Sequence, residues 1–253
     1  MSLAAADAAA PFRQAVPREL QVGGLTPFTS IDYPGQLSAV VFVQGCPWRC
    51  GYCHNPHLQP RSASAGPRWG EVIDFLRRRA GLLDAVVFSG GEPTIDLMLP
   101  RAIAEVRALG FKVGLHSAGV YPQRLQEVLP LVDWVGLDIK APLADATGHD
   151  RVTAVRDSAE PVRRSLAALV QHGRDRGLPF ECRTTAHPTL LDDAALLALA
   201  DELAAAGVEQ WVLQIARSQG VTGALCAIGA DYPSPDTLQR LRQRLPAMTV
   251  RRG

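Results

Sequence analysis

Residues 46–56 read CPWRCGYCHNP and set three of the chain's five cysteines in a C-x-x-x-C-x-x-C spacing, directly after the apolar run LSAVVFV at residues 37–43. That run has the length and β-branched content of a buried strand. Thiolates so close together, on a loop with Pro47 and Gly51, can turn inward on one object. Iron–sulfur clusters are held by cysteine thiolates, usually four of them. A closed set of three, Cys46, Cys50 and Cys53, would leave one iron of a 4Fe-4S cube without a protein ligand and free to bind substrate. A Cys3His zinc site that includes His54 is the alternative, although structural zinc ligands usually come as two separated pairs. A disulfide knot fits less well, because nothing in the chain indicates export.

Outward from this loop the sequence alternates. Downstream apolar runs at residues 85–89, 111–117, 132–138, 180–185 and 210–216 read as strands. Segments of helical periodicity fall between and after them: 69–80, 97–109, 121–129, a helix opened by Pro161 and ending at Gly173, 192–206 with an aspartate cap, and 235–245. Residues 21–35 read as a polar, glycine- and proline-bearing approach across one end of the fold, and a long loop follows residue 138. Six strands recurring at roughly 30 to 35 residues have the size of a βα repeat and imply parallel pairing with right-handed crossovers. The fold class is therefore α/β, a partial (βα)6 TIM-like barrel with outer helices, since six units are too few for a full eight-fold barrel.

Length and composition bound the rest. A chain of 253 residues, 47% apolar and 20% charged, suits a single domain over residues 21–253, with the alanine-rich residues 1–20 as a disordered tail. The net charge of +1 argues against direct nucleic acid binding as the main task. No apolar stretch approaches the roughly 18 residues of a membrane span, and Asp7 and Pro11 interrupt the region a signal peptide would need, so a cytoplasmic protein is expected. Cys182 and Cys226 read as small buried hydrophobes.

The cysteine motif with an aromatic residue, Tyr52, before its last cysteine resembles the signature of the radical S-adenosylmethionine superfamily. The continuation CHNP and the upstream TSIDYPG at residues 29–35 are similar to the activating enzymes of glycyl radical enzymes, most closely those of anaerobic ribonucleoside-triphosphate reductases. The resemblance runs from about Gly23 to the C-terminal region. It implies two cofactors, a 4Fe-4S cluster on Cys46, Cys50 and Cys53, and S-adenosylmethionine, with Tyr52 beside them.

In α/β folds of this kind ligands gather beyond the carboxyl ends of the strands. SGGEP, residues 89–93, follows a strand, and its paired glycines Gly90 and Gly91 allow a ligand to approach backbone, a tight turn being the alternative. The resemblance gives this element the amino group of S-adenosylmethionine, with Glu92 in or behind the site. Lys140 is one of only two lysines among 26 basic residues and suits a point contact with a carboxylate. The family's D-x-K pattern assigns it that of S-adenosylmethionine, and Asp138 would orient it or help bind a cation. Ser117 and Gly119 match a strand-end segment in which relatives carry an acid and this chain has His116, which leaves a cation there in doubt. Arg183 and Thr185 resemble the fifth-strand position near the ribose and carboxylate, and Gln214 matches the sixth strand, where relatives often carry a histidine. His54 and Asp32 are open to site or structural roles.

The activity implied is reductive cleavage of S-adenosylmethionine by an electron from an external donor such as flavodoxin, followed by hydrogen-atom abstraction from a glycine of a partner enzyme. A radical enzyme of the same fold acting on a small molecule, similar to 7-carboxy-7-deazaguanine synthase, is the competing reading.

Overall fold

The computed structural model describes residues 19–61, 66–216, 228–229 and 231–252. The apolar run ahead of the cysteines forms β2 (Ser38–Val43). The later runs form β3 (Ala85–Gly90), β4 (Lys112–Ser117), β5 (Trp134–Asp138), β6 (Phe180–Ala186) and β7 (Trp211–Ile215). Each pairs in parallel with the next, as strands joined by helical crossovers do. The helices are α1 (Trp69–Arg77), α2 (Leu99–Ala108), α3 (Pro122–Val128), α4 (Ala146–Thr153), α5 (Ala159–Arg176), α6 (Asp193–Ala206) and α7 (Pro235–Arg244).

Three elements go beyond the sequence reading. Residues expected as a polar approach form β1 (Val22–Thr29), antiparallel to β2, and a short β8 (Thr249–Arg252) lies parallel to β7. β1 carries two glycines and a proline, which a strand tolerates at a sheet edge, where β1 lies. Helix α4 occupies the expected long loop. Helix α5 begins at Ala159, so Pro161 lies in its first turn rather than opening it. The Asp192 cap is present, its side chain accepting from the Ala195 amide.

The eight strands run in chain order, mostly parallel, in an α/β sheet of the partial TIM-barrel kind. Alternate side chains face opposite ways. Val41, Phe88, Leu115, Leu137 and Leu213 join Ile103, Leu169 and Leu199 in the main core, between sheet and helices. The other face holds Val40, Ala85, Val87 and Trp134 around Tyr33 of the TSIDYPG segment. Tyr33 stacks on Trp134 at 5.2 Å between centroids. Gly114 makes the room, since a Cβ there would come within 3.0 Å of Tyr33 Cδ1. Arg183 Cζ lies 4.9 Å from the Trp134 ring on the same face. The barrel interior is thus filled by its own side chains, which leaves the carboxyl ends of the strands to form a site.

Leu20 packs into the main core, whereas residues 1–18 and Cys226 lie outside the described residues. Cys182 is free and fully buried, as expected of a small hydrophobe. Among the described residues no helix is long and apolar enough to cross a membrane.

Candidate active site

Beyond Val43 the chain turns at Gly45 and folds back on itself. The Gly45 amide donates to the Leu58 carbonyl at 2.7 Å and the Cys46 amide to that of Gln59 at 3.0 Å. Arg49 Nη1 donates to the carbonyls of Cys46 and Trp48 at 2.7 and 2.8 Å, and the Cys53 amide donates to the Cys50 carbonyl at 3.0 Å. These bonds hold the loop over the carboxyl ends of β3 to β6. There Cys46, Cys50, Tyr52 and Cys53 line one cavity with Gly90, Gly91, Ser117, Asp138, Lys140 and Thr185.

The three cysteines are free. Burial pushes the Cys46 thiol up to about 12 and raises that of Cys50 as well. Without metal these groups are neutral thiols, and binding iron displaces their protons. Among the described residues, no three His, Cys, Asp or Glu side chains are grouped tightly enough to hold a single metal ion. A lone zinc requires its ligands to converge on one point, whereas in a cube each thiolate takes a different iron. Three free thiols lining one cavity are the donor set that a cube with one open iron needs.

The double glycine lines the cavity and also has a packing reason of its own. A Cβ on Gly90 would lie 2.4 Å from the Val43 nitrogen, and one on Gly91 would lie 2.3 Å from the Gly45 carbonyl oxygen and 3.0 Å from Cys46 Cβ. Gly90 also has φ +127, a conformation side chains rarely adopt. The pair lets the end of β3 press against the root of the cysteine loop. The Gly91 and Glu92 amides complete the join by donating to Val43 and Gly45 at 3.1 and 2.8 Å.

Lys140 and Asp138 form an ion pair of 2.8 Å at the cavity, with side chains 12% and 36% exposed. Burial opposes the Lys140 ammonium, but the Asp138 carboxylate outweighs it and keeps the lysine pKa well above its ordinary value. Lys140 Nζ also lies 5.7 Å from the Tyr52 ring, so it touches the cysteine loop as well as β5. The Tyr52 hydroxyl is buried without a hydrogen-bond partner among the described residues.

Glu92, Arg183 and Gln214 do not line the cavity. Glu92 is fully buried. Its Oε1 accepts from the Thr94 amide and hydroxyl at 3.1 and 2.6 Å and from Ser117 Oγ at 2.8 Å, while Oε2 accepts from the Ala118 amide at 2.7 Å. Its role is to tie the end of β3 to the end of β4, and burial raises its pKa despite those bonds. Arg183 lies one layer deeper, where its Nε donates to Glu181 Oε1 at 2.6 Å and its Nη2 is buried without a hydrogen-bond partner among the described residues. Gln214 Oε1 stands behind Thr185, 3.5 Å from its hydroxyl.

His116 lines the cavity and packs edge-on against Trp134. Its Nε2 is 2.8 Å from the Asp32 carbonyl oxygen and 2.9 Å from Arg183 Nη1, and one ring nitrogen can serve only one of them at a time. Burial, reinforced by Arg183, lowers its pKa to about 3, so the ring is neutral. Asp32 is thereby a structural tie, with its side chain accepting from Thr29 Oγ1 at 2.6 Å. His54 lines the cavity, together with Trp48, Gln59 and Ala118, which the sequence reading did not single out. Trp48 and Gln59 were legible only through their neighbourhood to the cysteines.

A mostly parallel α/β sheet whose strand ends gather three free cysteines, a glycine pair and an ion-paired lysine has the donor set of an iron–sulfur protein. The family model for the radical SAM superfamily matches residues 40–203, and the chain belongs to that superfamily. Its members use a 4Fe-4S cluster and S-adenosylmethionine, the cofactors this site accommodates. The chain is 30% identical over 177 residues to a candidate glycyl-radical enzyme activating enzyme of Methanocaldococcus jannaschii, across 68% of this chain and 70% of that one. It is 35% identical over 131 residues to the pyruvate formate-lyase-activating enzyme of Clostridium pasteurianum, across 49% of this chain and 52% of that one. A match to a PqqA peptide cyclase of Xanthomonas euvesicatoria, 33% identical, spans 61% of this chain and 41% of the cyclase. The fold is also that of a radical SAM methyltransferase from Sphaerobacter thermophilus, with a TM-score of 0.64 and 18% identity over 89% of this chain and 68% of that one.

Proposed function

We propose that this chain is an activating enzyme of a glycyl radical enzyme, with an anaerobic ribonucleoside-triphosphate reductase as its foremost partner. The observation that carries the reading is the cavity in which three free cysteines face the glycine pair and Lys140. Similarity to activating enzymes supports the choice of partner class. When bound, the cluster and S-adenosylmethionine supply a one-electron reductive cleavage that yields methionine and, with the hydrogen atom of a glycine Cα, 5′-deoxyadenosine. The electron comes from an external one-electron donor such as flavodoxin, and the unpaired electron remains on the partner's glycine.

The chain's own residues bind and orient. Cys46, Cys50 and Cys53 would hold three irons and leave the fourth open. The Gly90 and Gly91 backbone would take the amino group of S-adenosylmethionine, and Lys140, steered by Asp138, its carboxylate. Ser117, Thr185 and Tyr52 complete the cavity wall, with Glu92, Arg183 and Gln214 supporting it from behind. No acid–base pair is required, because what moves is an electron and a hydrogen atom.

The test is anaerobic incubation of the reduced, reconstituted protein and S-adenosylmethionine with candidate glycyl radical enzymes. A glycyl radical doublet in electron paramagnetic resonance is the expected result. Silence with every candidate, alongside intact cofactor cleavage, would favour a small-molecule substrate instead.

A further inference from the structure

Helix α4 packs against the cysteine loop. The Arg49 amide, between Cys46 and Cys50, donates to the Thr153 carbonyl at 2.9 Å. Trp48 of the same loop packs edge-on against His149, with ring centroids 5.7 Å apart. His149 is 0% exposed, and its Nε2 has no hydrogen-bond partner among the described residues.

The other side of that imidazole is fixed. Its Nδ1 is 2.6 Å from Ser158 Oγ, and Ser158 Oγ donates to Asp150 Oδ1 at 2.8 Å. Ser158 Oγ also accepts from Thr153 Oγ1 at 2.8 Å, so the imidazole is tied through one hydroxyl to both Asp150 and Thr153. Burial lowers the His149 pKa to about 4, so the ring is neutral.

The turn carrying this array is strained. Among the described residues the only non-glycine positions with positive φ are Ala154 at 55 and Asp157 at 57, both in this turn. The Asp150 carboxylate holds it, accepting from the Asp157 and Ser158 amides at 2.9 Å each. Strain of this kind persists only where surrounding bonds over-determine it.

We propose that α4 is a clasp for the cluster loop, and that His149, oriented by Ser158 and Asp150, is a positioning residue acting through Trp48 on the cysteines. It sets how firmly the loop retains iron and what environment the cluster feels. This rests on the cluster being held by the three cysteines and is independent of which partner the enzyme activates.

The test compares anaerobically reconstituted wild type with His149→Ala, Ser158→Ala, Trp48→Phe and the His149→Ala/Trp48→Phe double variant. Iron release to a chelator and the g values of the reduced cluster are read alongside circular dichroism. His149→Ala is expected to release iron about 10-fold faster, the lower end of the effect of removing support behind a metal ligand, and to shift the g values. Ser158→Ala should move both readouts in the same direction. The double variant should be no worse than Trp48→Phe alone, because both changes remove one coupling. Wild-type release and spectrum in His149→Ala, or additive effects in the double variant, would overturn the clasp. Should His149→Ala not fold, wild-type behaviour of Ser158→Ala, which removes the bond that orients the ring, overturns it equally. A wild type that takes up no iron would remove the cluster assignment, and the clasp with it.

Discussion

Gly91 sits so close to Gly45 that a Cβ on the first would come within 2.3 Å of the carbonyl oxygen of the second. The contact is between backbones, so no rotamer change relieves it. Gly91→Ala must push the root of the cysteine loop away from β3. The expected cost is about 1–3 kcal/mol of stability, the usual range for overpacking, together with reduced iron uptake. Urea unfolding of the metal-free protein and iron analysis after reconstitution check it, and an unchanged midpoint with full iron would contradict it.

Glu92 accepts four hydrogen bonds from three residues while fully buried. In Glu92→Gln the amide NH2 must face donors whichever way the group is flipped. A loss of about 1–3 kcal/mol is expected, since at least one buried donor loses its acceptor. The site should suffer with it, because the tie carries Ser117 and Ala118. A midpoint equal to wild type would show the carboxylate to be protonated or dispensable.

The six central strands were legible because runs such as AVVF and WVGL are apolar over their whole length, as strands covered on both faces must be. β1 was not, because VGGLTPFT carries strand-breaking residues and is held by pairing with β2 on one side only. β8, TVRR, is too short and polar to show a pattern. Helix α4, ATGHDRVT, mixes glycine with β-branched residues, and its stability comes from the Asp145 cap and from packing. In the site, the cysteines and Lys140 could be read from type and spacing. The roles of Glu92 and Arg183 could not, because a residue before or after a strand end gives no sign of whether it faces the cavity or the layer below.

His116 gives the metal-free protein a pH dependence. Its pKa falls from the ordinary 6.5 to about 3 on folding, through burial and then Arg183. Between those values the unfolded chain binds more protons than the folded one, so stability is full above about 6.5 and declines as pH falls toward 3. His116→Gln should flatten part of that decline. Urea midpoints at pH 7 and pH 5 check it, and parallel pH profiles for the two proteins would contradict it.

Lys140 is expected to contribute to S-adenosylmethionine affinity by a charge-assisted hydrogen bond. Lys140→Met should weaken binding to the reconstituted protein by roughly 10- to 100-fold, the equivalent of about 1.5–3 kcal/mol. Titration calorimetry with S-adenosylmethionine measures it. Unchanged affinity would take the carboxylate contact away from Lys140.

The central claim is that Cys46, Cys50 and Cys53 hold a cluster with one open iron that cleaves S-adenosylmethionine. It is tested most directly by measuring 5′-deoxyadenosine from dithionite-reduced, anaerobically reconstituted wild type and Cys50→Ala. The account predicts product from the wild type and none from a Cys50→Ala protein with an unchanged circular dichroism spectrum. Product from Cys50→Ala at the wild-type rate would contradict it.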